Sequence, residues 1–233
     1  MFLDRRTLLF LGASLSLANG PAQAKQTEDW PDLERYRNEN ASVPPPKPGE
    51  NRVVFLGDSI TDFWGRSPGS EFFPGKPYIN RGISGQTTPQ MLVRFRPDVV
   101  ALRPKVVVIL AGTNDIAGNT GPMTLEDSEN NLMSMADIAR QNEIGVVLAS
   151  VTPASAFPWK PGLHPADKIR TLNAWIKEYS MKKHFVYLDY YSAMTNDQGG
   201  MKPGLSKDGV HPTAKGYGVM SPLAEHAIAR ALR

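Results

Sequence analysis

The sequence predicts an α/β protein built on a five-stranded parallel sheet, strand order 2-1-3-4-5, with helices on both faces. Three observations carry this. First, short apolar runs without alternation, Val53-Val54-Phe55-Leu56 and Val106-Val107-Val108-Ile109-Leu110, suit strands buried on both faces of a parallel sheet. Second, these runs alternate with segments whose apolar residues recur every three or four positions. Such a series folds as right-handed crossovers that cover both sides of the sheet. Third, polar clusters follow the apolar runs, and the carboxyl ends of strands are where open α/β sheets bind ligands.

Taken in order, Asp29 to Asn40 is polar with Trp30, Leu33 and Tyr36 at helical spacing, which predicts a helix. Val43-Pro44-Pro45-Pro46-Lys47-Pro48-Gly49 cannot be helical and reads as an extended strap leading into the domain. The first strand is Arg52 to Leu56, and a loop rich in aromatics, proline and glycine leads to a second at Tyr78-Ile79-Asn80. A helix runs from about Thr88 towards Arg96, with Met91, Leu92 and Phe95 on one face, and Pro97 is expected to start a further helical turn. Lys105 to Leu110 is the third strand. Thr124 can cap a helix to Gln141 that turns Leu125, Leu132, Met135 and Ile138 inward. Gly145 to Val151 is the fourth strand. Asp167 to Met181 is a helix with Ile169, Leu172, Trp175, Ile176 and Tyr179 on its apolar face. Phe185 to Leu188 is the fifth strand. After a long polar loop, Thr213 caps the last helix, whose buried face is Tyr217, Met220, Ala224, Ala227 and Ala231.

Residues 1–24 read as an export signal: Arg5-Arg6 is the positive region, Leu8 to Ala18 the apolar core, and Ala22-Gln23-Ala24 the small-x-small cleavage pattern. The paired arginines also resemble a twin-arginine signal, although Asp4 departs from its usual Ser or Thr. The expected division is therefore signal 1–24, helix and proline strap 25–50, and a domain at 51–233, placed in the periplasm or outside the cell. The apolar core is too short to span a bilayer, so no stable membrane insertion is expected once the signal is removed. The chain has no cysteine, which excludes disulfides, thiolate metal sites and cysteine nucleophiles. Net charge is +3 with the basic residues scattered, which argues against a nucleic-acid partner. The four histidines, His164, His184, His211 and His226, match no metal-binding spacing.

Four polar loops follow strand ends: Ser59; Gly82 with Gly85; Asn114 with Asp115; and Asp208 with His211. A serine, a histidine, an acid and amide donors on one sheet edge can perform acyl transfer. Each also has an ordinary structural role. Ser59 or Asp58 can cap a helix, Gly85 can permit a tight backbone, Asn114 can close a turn, and Asp208 and His211 can frame the turn before the last helix. Asp115 is assigned mainly to structure, and Asp58 is expected to shape its turn. The ordinary roles, taken together, need four coincidences on one edge. Thr61 stands where a nucleophile elbow needs its last glycine, and no phosphate loop is present.

These residues resemble the SGNH, or GDSL, hydrolase family. Gly57-Asp58-Ser59 is similar to its first block, Asn80 to Gly85 to its second, Gly112-Thr113-Asn114-Asp115 to its third and Asp208-Gly209-Val210-His211-Pro212 to its fifth, in family order. The resemblance implies a three-layer α/β/α sandwich. It also implies a Ser59, Asp208, His211 triad, an oxyanion hole from the Ser59 and Gly85 N–H groups and the Asn114 amide, and no metal or organic cofactor. The implied substrates are small-molecule or glycan esters. The feel is closest to bacterial relatives of platelet-activating-factor acetylhydrolase, which points to a short acyl group such as acetyl. Lysophospholipase or thioesterase activity stays open, as does a non-catalytic glycan- or lipid-binding role on the same fold. Phe63, Trp64, Phe157 and Trp159 lie in loops on the active edge; Phe63, Trp64 and Trp159 are the candidate substrate contacts.

Overall fold

The structure, a computed structural model, describes residues 29–233; the export signal expected at 1–24 lies outside the described residues. Five parallel strands, β1 (Val53–Gly57), β2 (Tyr78–Gly82), β3 (Val106–Leu110), β4 (Gly145–Ala149) and β5 (Val186–Leu188), form one sheet in the order β2-β1-β3-β4-β5. Alternate residues of each strand enter opposite cores. Val54, Leu56, Val107 and Ile109 face α3 (Thr88–Asp98), α5 (Leu125–Gln141) and α6 (Ala166–Lys183) through Phe95, Leu132, Met135 and Leu172. Val53, Phe55, Val108 and Leu110 face α8 (Ala214–Ala231) through Tyr217, Met220 and Ala224. Two faces so covered make the three-layer sandwich, and they explain why these strands carry no polar alternation.

The expected helix caps are present. The Thr124 hydroxyl accepts from the Asp127 N–H while the Asp127 carboxylate accepts from the Thr124 N–H, a reciprocal capping box. Thr213 caps α8 by accepting from Gly216 N–H.

Two local expectations are corrected. Asp29 to Asn40 is not one helix. It forms successive turns followed by α1 (Arg37–Ser42), because Asp32 takes a left-handed φ of 58° that a continuous helix cannot accommodate. Pro97 does not open a new turn but lies in the last turn of α3; the bond it forfeits falls on Val93, an exposed residue, so solvent can supply a partner. Three short helices also punctuate segments read as loops: α2 (Ser59–Asp62), α4 (Thr113–Ala117) and α7 (Tyr190–Met194).

Register sets the site. Gly57, the last residue of β1, pairs with Gly82 on one side and Leu110 on the other. The chain segments leaving β2, β1 and β3 are therefore neighbours, about 5 Å apart from strand to strand. Gly82 is required by close approach: any Cβ there would collide with the backbone of Thr61 and Asp62, so β2 could not lie against α2. From the other side, the Tyr217 hydroxyl on α8 donates to the Ile60 carbonyl at 2.8 Å. The segment before α1 braces the same region. Tyr36 donates to the Gly82 carbonyl at 2.5 Å, the Gln86 side chain donates to the Pro31 carbonyl at 2.7 Å, and the Arg81 guanidinium sits 4.6 Å above the Tyr36 ring.

Candidate active site

Ser59 is the first residue of α2, directly after the β1 strand and the turn residue Asp58. Its Oγ lies 2.9 Å from His211 Nε2, although the two residues are 152 positions apart. His211 Nδ1 lies 2.6 Å from Asp208 Oδ2. An ionised carboxylate only accepts, so Nδ1 carries the imidazole proton and Nε2 is left to accept the serine hydroxyl. Asp208 is held by its own turn, its Oδ1 accepting from the N–H groups of Val210 and His211 and from the Ser206 hydroxyl. Burial works against the charged form of Asp208. The hydrogen bonds from the His211 ring and from the His211 and Val210 N–H groups outweigh it, and the carboxyl is held well below the usual carboxylate range. The acid beside the imidazole thus stays ionised through the mildly acidic range.

Asn114 is buried in α4. Its Nδ2 donates to the Gln86 carbonyl at 3.0 Å, which leaves one amide hydrogen uncommitted. Among the described residues, neither the Ser59 N–H nor the Gly85 N–H donates to a protein acceptor. Three uncommitted donors thus come from the segments after β1, β2 and β3, the arrangement that can hold a developing oxyanion.

Two rings flank His211. The Phe63 centroid lies 5.3 Å from the imidazole and that of Trp159 6.0 Å, with Trp159 stacked on buried Phe157. Trp159 is 37% exposed, so part of the side chain is open to solvent beside His211. Trp64 requires a correction. It is 3% exposed and turns away beneath the sheet edge, 5.0 Å from Tyr217 and 5.9 Å from Phe55 between ring centroids. It packs the proline-rich loop onto the core against Phe55 and Tyr217 and, with its ring buried there, is not a substrate contact. Asp115 accepts from Thr88 and Ser128 and joins α3 and α5 to α4, the structural role expected of it.

The model of the GDSL-like lipase/acylhydrolase family matches residues 55–219. The chain belongs to that family. Among its relatives, an acetylxylan esterase from Xylanibacter ruminicola is 28% identical over 219 residues, which is 80% of this chain but 45% of that protein, so the chain spans less than half its length. An acetylxylan esterase from Geobacillus stearothermophilus is 24% identical over 200 residues, 73% of this chain and 90% of the relative. Among solved structures, a GDSL-like lipase from Bacteroides thetaiotaomicron is 44% identical, with a TM-score of 0.83 over 88% of this chain and 100% of that one.

In this GDSL-like chain, Asp58 is shifted in its proton affinity in the direction opposite to Asp208. Its Oδ1 accepts from Ile60 N–H at 2.9 Å, as a turn-shaping role requires, while Oδ2 is buried with no partner among the described residues. Desolvation pushes the carboxyl up from 3.8 to about 7. Between these values the folded protein holds a proton that the unfolded chain has released. This group therefore contributes stability at acid pH and loses it as pH rises through about 7. Asp58→Asn, which keeps the acceptor for Ile60, is expected to gain in Tm over the parent as pH rises from about 5 to about 8. A Tm difference that stays flat across that interval shows that Asp58 is ionised in the fold.

Proposed function

We propose that the chain is an exported serine ester hydrolase that cleaves a carboxylic ester with a short acyl group such as acetyl, on a small molecule or glycan. The observation that carries this is the hydrogen-bonded series Ser59–His211–Asp208, facing three uncommitted donors. In the proposed reaction the Ser59 oxygen attacks the acyl carbonyl as its proton passes to His211 Nε2. Asp208 keeps the imidazole in the required tautomer and stabilises the imidazolium. The carbonyl oxygen, now an oxyanion, is held by the Ser59 and Gly85 N–H groups and the Asn114 amide; one such donor is worth about 3–4 kcal/mol in the transition state. The tetrahedral intermediate collapses and the alcohol leaves with the proton from His211. Water attacks the acyl-serine with His211 again as base, and the acid departs as the imidazolium returns its proton to Ser59 Oγ. No step calls for a metal or an organic cofactor.

Family membership and the acetylxylan esterase relatives support a carboxylic ester hydrolase. The partial exposure of Trp159 beside His211 supports a sugar-bearing alcohol, since an aromatic ring offers a flat apolar platform with a polar edge. Export rests on the pattern Arg5-Arg6, Leu8 to Ala18 and Ala22-Gln23-Ala24. Among the described residues, no helix is long and apolar enough to cross a membrane.

The test is covalent labelling with a fluorophosphonate, together with turnover of p-nitrophenyl esters of increasing acyl length, acetylated xylo-oligosaccharides and lysophospholipids. Labelling confined to Ser59, with acetyl esters turned over fastest, supports the reading. Folded protein that neither labels nor turns over any ester is a binding protein on a hydrolase fold. A preference for lysophospholipids moves the chain to the lipid branch.

A further inference from the structure

Beyond the residues that resemble family blocks lies Asn119, an exposed side chain just past α4. Gly118 takes a left-handed φ of 69° and ends that helix, turning the chain so that Asn119 folds back over Asn114. The Asn119 amide then makes three contacts. Its Nδ2 donates to Asn114 Oδ1 at 2.8 Å and to the Gly85 carbonyl at 3.2 Å. Its Oδ1 accepts from the Trp159 indole N–H at 3.1 Å. The chain of polarity matters more than any single distance. An indole N–H only donates, and backbone carbonyls only accept. With Trp159 donating at one end, Asn119 must present its oxygen there and its NH2 group to Asn114. Asn114 must in turn present its oxygen to Asn119, which leaves its NH2 group for the Gln86 carbonyl and the oxyanion.

We propose that Asn119 is a positioning residue for the oxyanion hole: it orients the Asn114 amide and steadies the Gly85 loop, and the Trp159 N–H locks it in the required polarity. The proposal rests on the ester-hydrolase reading above and deepens it. Trp159 then has two separable parts, a ring beside His211 and an N–H that belongs to the catalytic scaffold. The 150s loop, which reaches His211 and Asn119 through Trp159, is thereby coupled to the donors that stabilise the transition state.

A positioning role predicts a particular pattern in kinetics. Asn119→Ala is expected to lower kcat for p-nitrophenyl acetate by about tenfold, below the roughly hundredfold or greater cost of losing an oxyanion donor outright, with KM little changed. In an Asn114→Ala background the same substitution is expected to cost only about two- to threefold, because the amide it orients is gone. Trp159→Phe keeps an aromatic ring and removes the N–H; it is expected to lower kcat in the parent and to cost less when added to Asn119→Ala, because the amide it locks is already gone. Asn119 is exposed, so these variants should fold, and equal Tm values check that. Equal fold-losses for Asn119→Ala in the parent and Asn114→Ala backgrounds overturn the proposal, as does an effect confined to KM. A parent enzyme with no esterase activity at all fails the function reading instead, so the two failures are distinguishable.

Discussion

Replacing Ser59 by alanine is expected to lower kcat for a short acyl ester by about 10⁴-fold or more, while KM and Tm stay close to the parent values. The reasoning is that one atom is removed from a site whose other parts remain. Among the described residues, Ser59 Oγ is the hydroxyl hydrogen-bonded to His211 Nε2, and in the proposed mechanism this 2.9 Å contact is the route by which its proton leaves. His211→Ala is expected to cost a similar factor, since the hydroxyl then has no base. The informative variant is the double one. Residues that act as a unit are not additive, so Ser59→Ala/His211→Ala should be no slower than either single variant. Purified single variants with parental kcat would place the chemistry elsewhere on the sheet edge. A double variant much slower than either single would show that the two residues act in separate steps.

The second large effect falls on stability. Arg94 on α3 is fully buried and spends its guanidinium on four acceptors: the Gln86 side chain at 2.5 Å, the Arg81 carbonyl at 2.8 Å, Asp98 Oδ2 at 2.9 Å and the Gly57 carbonyl at 3.1 Å. It therefore ties the ends of β1 and β2 to the Gln86 turn from below. Arg94→Met fills the space but leaves Asp98 buried without its cation and takes a donor from the Arg81 and Gly57 carbonyls, of which Gly57 keeps the Ile83 N–H. Removing one partner of a buried ion pair costs about 3–5 kcal/mol, which urea denaturation reads as a lower midpoint at unchanged m-value. Arg94→Lys retains the charge but not the planar fork, so it should recover only part of the loss. A loss below about 1 kcal/mol for Arg94→Met would mean that water replaces the guanidinium. Because Gln86 also supplies the carbonyl that receives the Asn114 amide, the weakened fold should carry a lower kcat as well.

What could be read from the sequence divides along physical lines. The strand cores were legible because burial on both faces demands uninterrupted apolar residues, as in Val106 to Leu110. The long helices α5, α6 and α8 were legible because their period repeats over many turns. The polar residues of the site stood out for the complementary reason: Ser59, Asn114, Asp208 and His211 each interrupt an otherwise ordinary strand-to-helix passage. The helices α2, α4 and α7 are too short to show a period. Trp64 was misplaced because a loop dense in proline and glycine reads as surface, whereas its contacts with Phe55 and Tyr217 are made across the fold. Arg94 and Asn119 left no local signal either, since a buried arginine and a surface one look alike in a helix. Only Gly118, a helix stop placed soon after Asn114, pointed towards the turn that brings Asn119 back.

The distance along the chain between Ser59 and His211 has a kinetic consequence. Ser59 leaves the ribosome with β1, but His211, its proposed base, arrives 152 residues later, with the segment that leads into α8. Closing so long a loop is slow relative to local helix formation, and Tyr217 fastens α2 only once α8 has docked. On the proposed mechanism, the nascent chain is therefore inert towards esters until α8 has docked on α2.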